Sequence, residues 1–203
     1  MIGYIQMNLR DALAEMGEAA VKAELSHFSC PRNADVEAFI QDKAIEFARQ
    51  GIAATHLVYR SYRGTPVLVG YYALANKMVS IKASTLNAKW RSRVNRFARL
   101  DLDLKRYMIA MPLIGQLAKN YADGHDSLIT GDQLLSFACD KIKEFQLNLS
   151  GKMAYLECED APGLIAFYER NGFYRFANRN LDGDEIGEQR YLVQMIRYFS
   201  DTE

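Results

Sequence analysis

MIAMPLIGQLAKNYADGHDSLITGDQLLSF, residues Met108 to Phe137, reads as a buried strand that passes through a polar turn into a helix. Met108 to Ala118 is almost continuously apolar, with Pro112 and Gly115 inside it, and it ends at the polar run Lys119-Asn120-Tyr121-Ala122-Asp123-Gly124-His125-Asp126. A run this apolar and this short suits a central strand, not a membrane span. Beyond it Leu128, Leu134, Leu135, Ala138 and Ile142 recur at helical spacing, and Gly131 lets the backbone come close to a ligand where the helix begins. The first N–H groups of such a helix lack intrahelical partners and carry the positive end of its dipole, so a phosphate is a natural guest. Most strand-turn-helix units bind nothing, so this passage becomes a site only with support from elsewhere in the chain.

Working outward toward the N-terminus, Lys77 to Arg106 is the one locally cationic stretch. Lys77, Lys82, Lys89, Arg91, Arg93, Arg96, Arg99, Lys105 and Arg106 are opposed by Asp101 and Asp103 alone, with Trp90 and Phe97 interleaved. A charge run is usually a solvated helix face. The alternative is an RNA-contacting insert, because clustered Arg and Lys supply the sequence-independent part of nucleic-acid affinity and an aromatic can stack on a base. Before it, Ala54 to Tyr59 and Val67 to Ala75 read as two strands of an antiparallel hairpin linked through Ser61-Tyr62-Arg63-Gly64-Thr65-Pro66, with a bulge expected at Gly70. Asp35 to Arg49 repeats Val36, Phe39, Ile40, Ala44 and Phe47 at helical spacing and is closed by Gly51. Leu9 to Phe28 predicts an amphipathic helix packed on the domain.

Toward the C-terminus, Met153 to Cys158 reads as a short core strand, and Asp160-Ala161-Pro162-Gly163 opens a helix over Leu164 to Arg170 that Asn171-Gly172 closes. Phe173 to Phe176 predicts a strand, Asn178 to Glu188 a polar loop, and Tyr191 to Phe199 a last strand. The order gives a mixed α/β (α+β) domain with at least one right-handed crossover.

With 203 residues, 49% of them hydrophobic, the chain can bury one substantial core. Twenty-five basic residues balance 25 acidic ones, so any preference for nucleic acid must be local, and no membrane partner is indicated. Cys30, Cys139 and Cys158 are odd in number and fall in no metal-type spacing, which predicts reduced thiols in a cytoplasmic protein. His27, His56 and His125 form no paired ligand pattern, so no metal is expected. The opening Met-Ile-Gly-Tyr has no basic start followed by an apolar stretch, and no signal peptide is expected.

LIAFYERNGFYRF, Leu164 to Phe176, resembles the closing motif of the GNAT superfamily of N-acetyltransferases, a tyrosine-bearing helix that ends at a Gly-Phe pair; Tyr168, Gly172 and Phe173 match it. LIGQLAKN at Leu113 to Asn120 and TGDQLLSFA at Thr130 to Ala138 resemble the strand and helix that hold acetyl-coenzyme A in that family. VGYYALA ahead of an insert, and the opening FSCPRNADVEAFIQDKA, are similar to the branch of acetyltransferase toxins that modify aminoacyl-tRNA. The resemblance covers about Phe28 to Tyr198. It implies a GNAT-like fold over 28–203, with an insert at about 77–106 and residues 1–27 as an N-terminal helical extension. The sequence departs from the family at the pyrophosphate loop, where an Arg or Gln and two further glycines usually stand; here Asp126-Ser127-Leu128-Ile129-Thr130 leads to Gly131 alone. Asp126 is expected to repel a pyrophosphate. Ala161 stands where the family often has an asparagine.

The resemblance implies acetyl transfer from acetyl-CoA to a primary amine, with the amine of an aminoacyl-tRNA as the acceptor of that branch. It implies the backbone N–H of Leu117 as the donor to the thioester oxygen and Tyr168 as the group that protonates the leaving thiolate. Cofactor contacts are expected from Leu117, Ala118, Lys119, Ser127, Ile129, Thr130, Gly131, Asp132 and Tyr168. Contacts to tRNA are expected from Arg91, Arg93 and Arg96, and a homodimer is compatible with the resemblance. Glu157, Glu159 and His125 are candidates for the base by location only. The competing expectations are a small-molecule or protein amine as acceptor, and a GNAT-fold binding module whose eroded loop has lost turnover.

Overall fold

The computed structural model describes residues 3–181 and 191–200. The chain divides into two compact units: unit 1 is Met1–Ala75 with Gly115–Ala138, and unit 2 is Asn76–Ile114 with Cys139–Glu203.

In unit 1, β1 (Tyr4–Asn8) pairs antiparallel with β2 (Ala54–Tyr62), and β2 pairs antiparallel with β3 (Thr65–Lys82). The β2–β3 hairpin closes more tightly than the sequence implies. Tyr62 faces Thr65, and Arg63 and Gly64 form a two-residue turn with φ of 52° and 84°. Positive φ at both central residues gives the turn whose twist matches that of its strands. Gly70 carries the expected bulge, since Val58 faces Gly70 while Tyr59 faces Leu68. A Cβ on Gly70 would meet the Ala118 carbonyl oxygen at 2.8 Å, so β5 (Arg106–Lys119) approaches β3 here because this residue has no side chain. The two strands are antiparallel: the Asn120 N–H donates to Val69 and the Ala83 N–H to Lys105, residue numbers rising along β3 as they fall along β5.

The helix expected from Leu9 to Phe28 is two helices, α1 (Leu9–Met16) and α2 (Glu18–Ser26), broken at Gly17 with φ 79°. Their Leu9, Ala12, Val21 and Leu25 are fully buried in one core with Phe28, Ile40, Ala44, Leu57 and Tyr71. The helix expected over 35–49 forms in three pieces: α3 (Ala34–Ala38), a π-helical turn (Phe39–Lys43) and α4 (Ala44–Gln50), closed by left-handed Gly51 as expected.

In unit 2, β5 pairs parallel with β6 (Met153–Cys158), Leu113 opposite Tyr155 and Ile114 opposite Leu156. A parallel pair needs a crossover, and α6 (Gly131–Leu149) supplies it. Leu134, Leu135, Ala138 and Ile142 of α6 are all buried, as their spacing predicts. β6 then pairs antiparallel with β8 (Tyr191–Tyr198), and β8 with β7 (Phe173–Asn180). α7 (Pro162–Arg170) starts on its proline and is followed by Gly172 at φ 81°. Of the polar loop expected over 178–188, Asn178 to Asn180 continue β7, and 182–188 lie outside the described residues.

The basic stretch is only partly helical. β3 runs on to Lys82 with Val79 and Ile81 buried and Met78 and Lys82 exposed, the period-2 alternation of a one-sided strand. α5 (Ala88–Val94) follows, capped by Asn87, whose Oδ1 accepts the Trp90 N–H at 3.0 Å, and β4 (Leu100–Asp101) precedes β5. Trp90 and Val94 join the unit 2 core with Tyr107, Ile109, Met111, Tyr155 and Ile196. Among the described residues no helix is long and apolar enough to cross a membrane. The three cysteines are buried free thiols.

Candidate functional site

Along residues 115–119 β5 has β3 on one side, and its register with β6 ends at Ile114. The Asn120 N–H donates to Val69 of β3, and the Ala118 carbonyl oxygen faces Gly70, so the even-numbered peptide groups point at β3. Peptide groups alternate along a strand, which turns the N–H groups of Leu117 and Lys119 to the edge away from β3. Leu117, the expected oxyanion donor, is thus placed with its N–H unclaimed by unit 1's own sheet.

The strand stops at Asn120, a buried residue that the sequence presents only as part of a polar run. Its Oδ1 accepts the N–H groups of Ser29 and Ala122, both at 3.1 Å, and its Nδ2 donates to the Leu68 carbonyl at 2.9 Å. The side chain therefore ties the end of β5 to β3 and to the chain entering α3. After it, Ala122–Leu128 winds as 3-10 turns across a kink where Asp123 and Gly124 take left-handed φ of 52° and 73°. Lys119 folds back over this loop, its Nζ 2.8 Å from the Asp126 carbonyl oxygen and 3.8 Å from Asp126 Oδ2. The carboxylate expected to repel a pyrophosphate thus has a cation beside it.

Thr130 and Gln133 form a reciprocal cap at the start of α6. Thr130 Oγ1 accepts the Gln133 N–H at 3.1 Å, and Gln133 Oε1 accepts the Thr130 N–H at 3.0 Å. This capping consumes two of the donors that the sequence offered to an anion. Ser127 is exposed and its hydroxyl donates to Gly124; Asp132 is exposed in the first turn; Ile129 is buried. Among the described residues none accepts from the N–H of Ile129 or Gly131. The Leu128 carbonyl just ahead receives two donors, the Tyr4 hydroxyl at 2.8 Å and Arg60 Nη1. Gln116 Oε1 and His125 Nδ1 are buried polar atoms without a hydrogen-bond partner among the described residues. A buried amide oxygen in that state carries a desolvation penalty that a ligand's N–H would relieve.

In unit 2, Tyr168 lies on α7 with its ring edge-on to Phe167 at 4.9 Å and to Phe173 at 5.8 Å. Its side chain is buried, and among the described residues none hydrogen-bonds its hydroxyl. Burial pushes its pKa up from the usual tyrosine value, with the neighbouring Cys158 and Cys139 adding to the rise. Glu157, named above as a base by location, is already committed. Arg179 bonds both its carboxylate oxygens at 2.8 Å, Lys77 approaches to 3.1 Å, and the Tyr155 hydroxyl donates to it. Burial alone would raise its pKa; Arg179, Tyr155 and Lys77 outweigh burial and hold it below the usual carboxylate range. A carboxylate so held is a poor proton acceptor. Glu159 is exposed on the connection to α7.

The three arginines expected to meet tRNA are not equivalent. Arg93 is half-buried with its guanidinium over two rings, 4.9 Å from the Trp90 centroid and 4.5 Å from that of Tyr198. Arg91 and Arg96 are exposed, and Arg96 Nη1 lies 3.4 Å from the Tyr198 hydroxyl.

No protein-family model and no curated protein matches the chain. Solved structures do. AtaT complexed with acetyl-methionyl-tRNAfMet is 16% identical, with 94% of each chain covered and a TM-score of 0.62. A mutant of KacT is 14% identical, covering 94% of this chain and 93% of its own at 0.60. A mutant AtaT toxin bound to the C-terminus of the antitoxin AtaR and acetyl-CoA is 16% identical, covering 94% and 91% at 0.55. The GNAT-like mixed α/β fold implied by the sequence resemblance is the fold these chains share. At such identities the likeness carries the fold and leaves the site residues to be argued from their own geometry.

Proposed function

We propose that this chain transfers the acetyl group of acetyl-CoA to a primary amine, that of an aminoacyl-tRNA. The observation that carries the reading is the donor set on the β5–α6 passage: the Leu117 N–H, on the edge of β5 away from β3 and past its register with β6, and the Ile129 and Gly131 N–H groups that no described residue engages. An acyl-CoA offers what these groups lack, phosphate oxygens for the N–H donors and amide N–H groups for the orphaned Gln116 Oε1. The solved structures of AtaT with acetyl-methionyl-tRNAfMet and with acetyl-CoA support the same donor and acceptor classes.

Acetyl-CoA supplies an activated acetyl thioester. Ile129 and Gly131 hold its pyrophosphate through backbone N–H groups, with the Lys119 ammonium nearby and Ser127, Thr130 and Asp132 shaping the loop. Ala118 faces β3 and keeps the strand in place. Leu117 donates its N–H to the carbonyl oxygen as negative charge develops there, which is the preorganised stabilisation acyl transfer requires. The amine nitrogen forms its bond to the carbonyl carbon as the carbon–sulfur bond breaks; the family resemblance gives Tyr168 the role of protonating the departing sulfur, and the proton that the acylated nitrogen then loses restores the hydroxyl. That hydroxyl is protonated at neutral pH, and burial makes it a weaker acid than an exposed tyrosine. The attacking amine must be neutral, and with Glu157 committed to Arg179 and Lys77 its proton goes to water. Arg91 and Arg96, exposed on and just after α5, contact the tRNA backbone, while Arg93 packs α5 onto β8.

The second reading, a binding module without turnover, is favoured by the acidic residues Asp123, Asp126 and Asp132 in and after the loop. Isothermal titration with acetyl-CoA separates the two. Stoichiometric binding is expected, and absence of heat with millimolar ligand removes the enzyme reading.

A further inference from the structure

We infer that Tyr4 and Arg60 are positioning residues for the acyl-donor loop: from β1 and β2 they fix the Leu128 carbonyl and thereby aim the N–H of Ile129. The inference rests on the proposed function, which gives that N–H its ligand.

The Leu128 carbonyl and the Ile129 N–H belong to one planar trans peptide and point in opposite directions. Whatever grips the carbonyl sets the direction of the donor. Two side chains grip it, the Tyr4 hydroxyl at 2.8 Å and Arg60 Nη1. They also brace each other, with Arg60 Nη1 3.4 Å from the Tyr4 hydroxyl and the guanidinium carbon 5.4 Å from the Tyr4 ring centroid. The Tyr4 ring packs edge-on to Phe137 of α6 at 5.3 Å, and its hydroxyl lies 3.2 Å from Gln133 Oε1, the acceptor of the α6 cap. Register makes the pair: Tyr4 stands directly opposite Arg60 in the β1–β2 ladder. The clamp thus holds the loop exit, the cap and the first turns of α6 as one piece within unit 1. A loop lacking the family's glycines has fewer backbone routes to present donors, and an externally fixed peptide plane supplies one.

Tyr4→Phe keeps the ring against Phe137 and removes only the hydroxyl. Arg60→Met keeps much of the stem and removes the guanidinium. Each full-length variant is expected to raise the KM and Kd for acetyl-CoA by about two- to tenfold, the range of one hydrogen bond, while kcat with saturating donor stays near that of the parent. The double variant should be less than additive, since both groups act on one carbonyl. Hydrogen exchange of the ligand-free variants should speed up at 128–134 and not elsewhere in unit 1. Loss of kcat and KM together with a general fall in melting temperature overturns positioning in favour of a merely structural role. Parent protein that binds acetyl-CoA while both variants bind equally well overturns the clamp alone; parent protein that binds none overturns the functional reading and the clamp's purpose together.

Discussion

Replacing Asn120 by Ala tests the pivot on which the β5–loop passage turns. The side chain is 5% exposed and makes three hydrogen bonds, accepting from the N–H groups of Ser29 and Ala122 and donating to the Leu68 carbonyl. Truncation leaves all three backbone groups without these partners. Leu68 is buried, so its carbonyl bears the full penalty of a buried unsatisfied acceptor, about 1–3 kcal/mol. Ser29 and Ala122 are half-buried, and water can restore part of what their N–H groups lose. The sum is about 3 kcal/mol, which for a chain of this size lowers the melting temperature by roughly 6–12 °C. Asn120→Asp retains the Oδ1 acceptor but sets a carboxylate oxygen against the Leu68 carbonyl, so it should destabilise to a similar extent. Differential scanning calorimetry of the three proteins is the assay, with urea denaturation as a check that the slope is unchanged. An Ala variant that melts with the parent, within about 2 °C, would show that solvent satisfies these groups and that Asn120 does not hold the strand end.

Tyr168→Phe should lower turnover by about a hundredfold or more while leaving acetyl-CoA affinity and melting temperature nearly unchanged, because no described residue hydrogen-bonds the hydroxyl that is lost. Parent-like turnover in a thiol-release assay would assign the proton to water. Arg91→Ala with Arg96→Ala, sparing Arg93 and its two rings, should weaken tRNA binding and flatten its dependence on salt; unchanged salt dependence removes α5 from the RNA contact. Stability should decline in alkali. Burial raises the pKa of Tyr59, Tyr71, Tyr155 and Tyr168 above the usual tyrosine value. The unfolded chain ionises near pH 10 while the folded chain keeps these protons, so their contribution is intact below about pH 10 and is lost as pH rises beyond it. Urea midpoints that stay level from pH 9 to pH 11 would contradict the direction of these shifts.

The elements legible in the sequence are those whose side chains answer to one periodicity. β6 and α6 fall close to where their apolar spacing puts them, and Gly51 and the Asn171-Gly172 pair punctuate α4 and α7 as read. The losses have physical causes. β1 is an edge strand with Ile5 59% exposed, so its residues do not sort into a wet and a dry face. The far half of β3 is masked by charge: Lys77 and Lys82 make it part of a cationic run, while the signal of the strand is Val79 and Ile81 buried two apart. The breaks at Gly17 and in the π-helical turn at Phe39–Lys43 interrupt apolar patterns that run on across them; at Gly17 the positive φ that a glycine accepts divides the helix.

The site divides in the same way, by distance along the chain. Thr130-x-x-Gln133 is a capping box within four residues and could have been read from the sequence, and with it the conclusion that two N-terminal donors of α6 are consumed internally. That shifts the anion argument from the helix terminus as a whole to the N–H groups of Ile129 and Gly131. What directs the first of these could not be read, since the groups that hold its peptide come from Tyr4 and Arg60, 124 and 68 residues from Leu128. Asn120 likewise reaches back 52 residues to Leu68. A motif confined to 120–131 contains neither the clamp nor the pivot. On the proposed reading, the glycines missing from that loop are offset by contacts from β1, β2 and β3, and the loop should be judged as part of the sheet that carries it, not by its own letters.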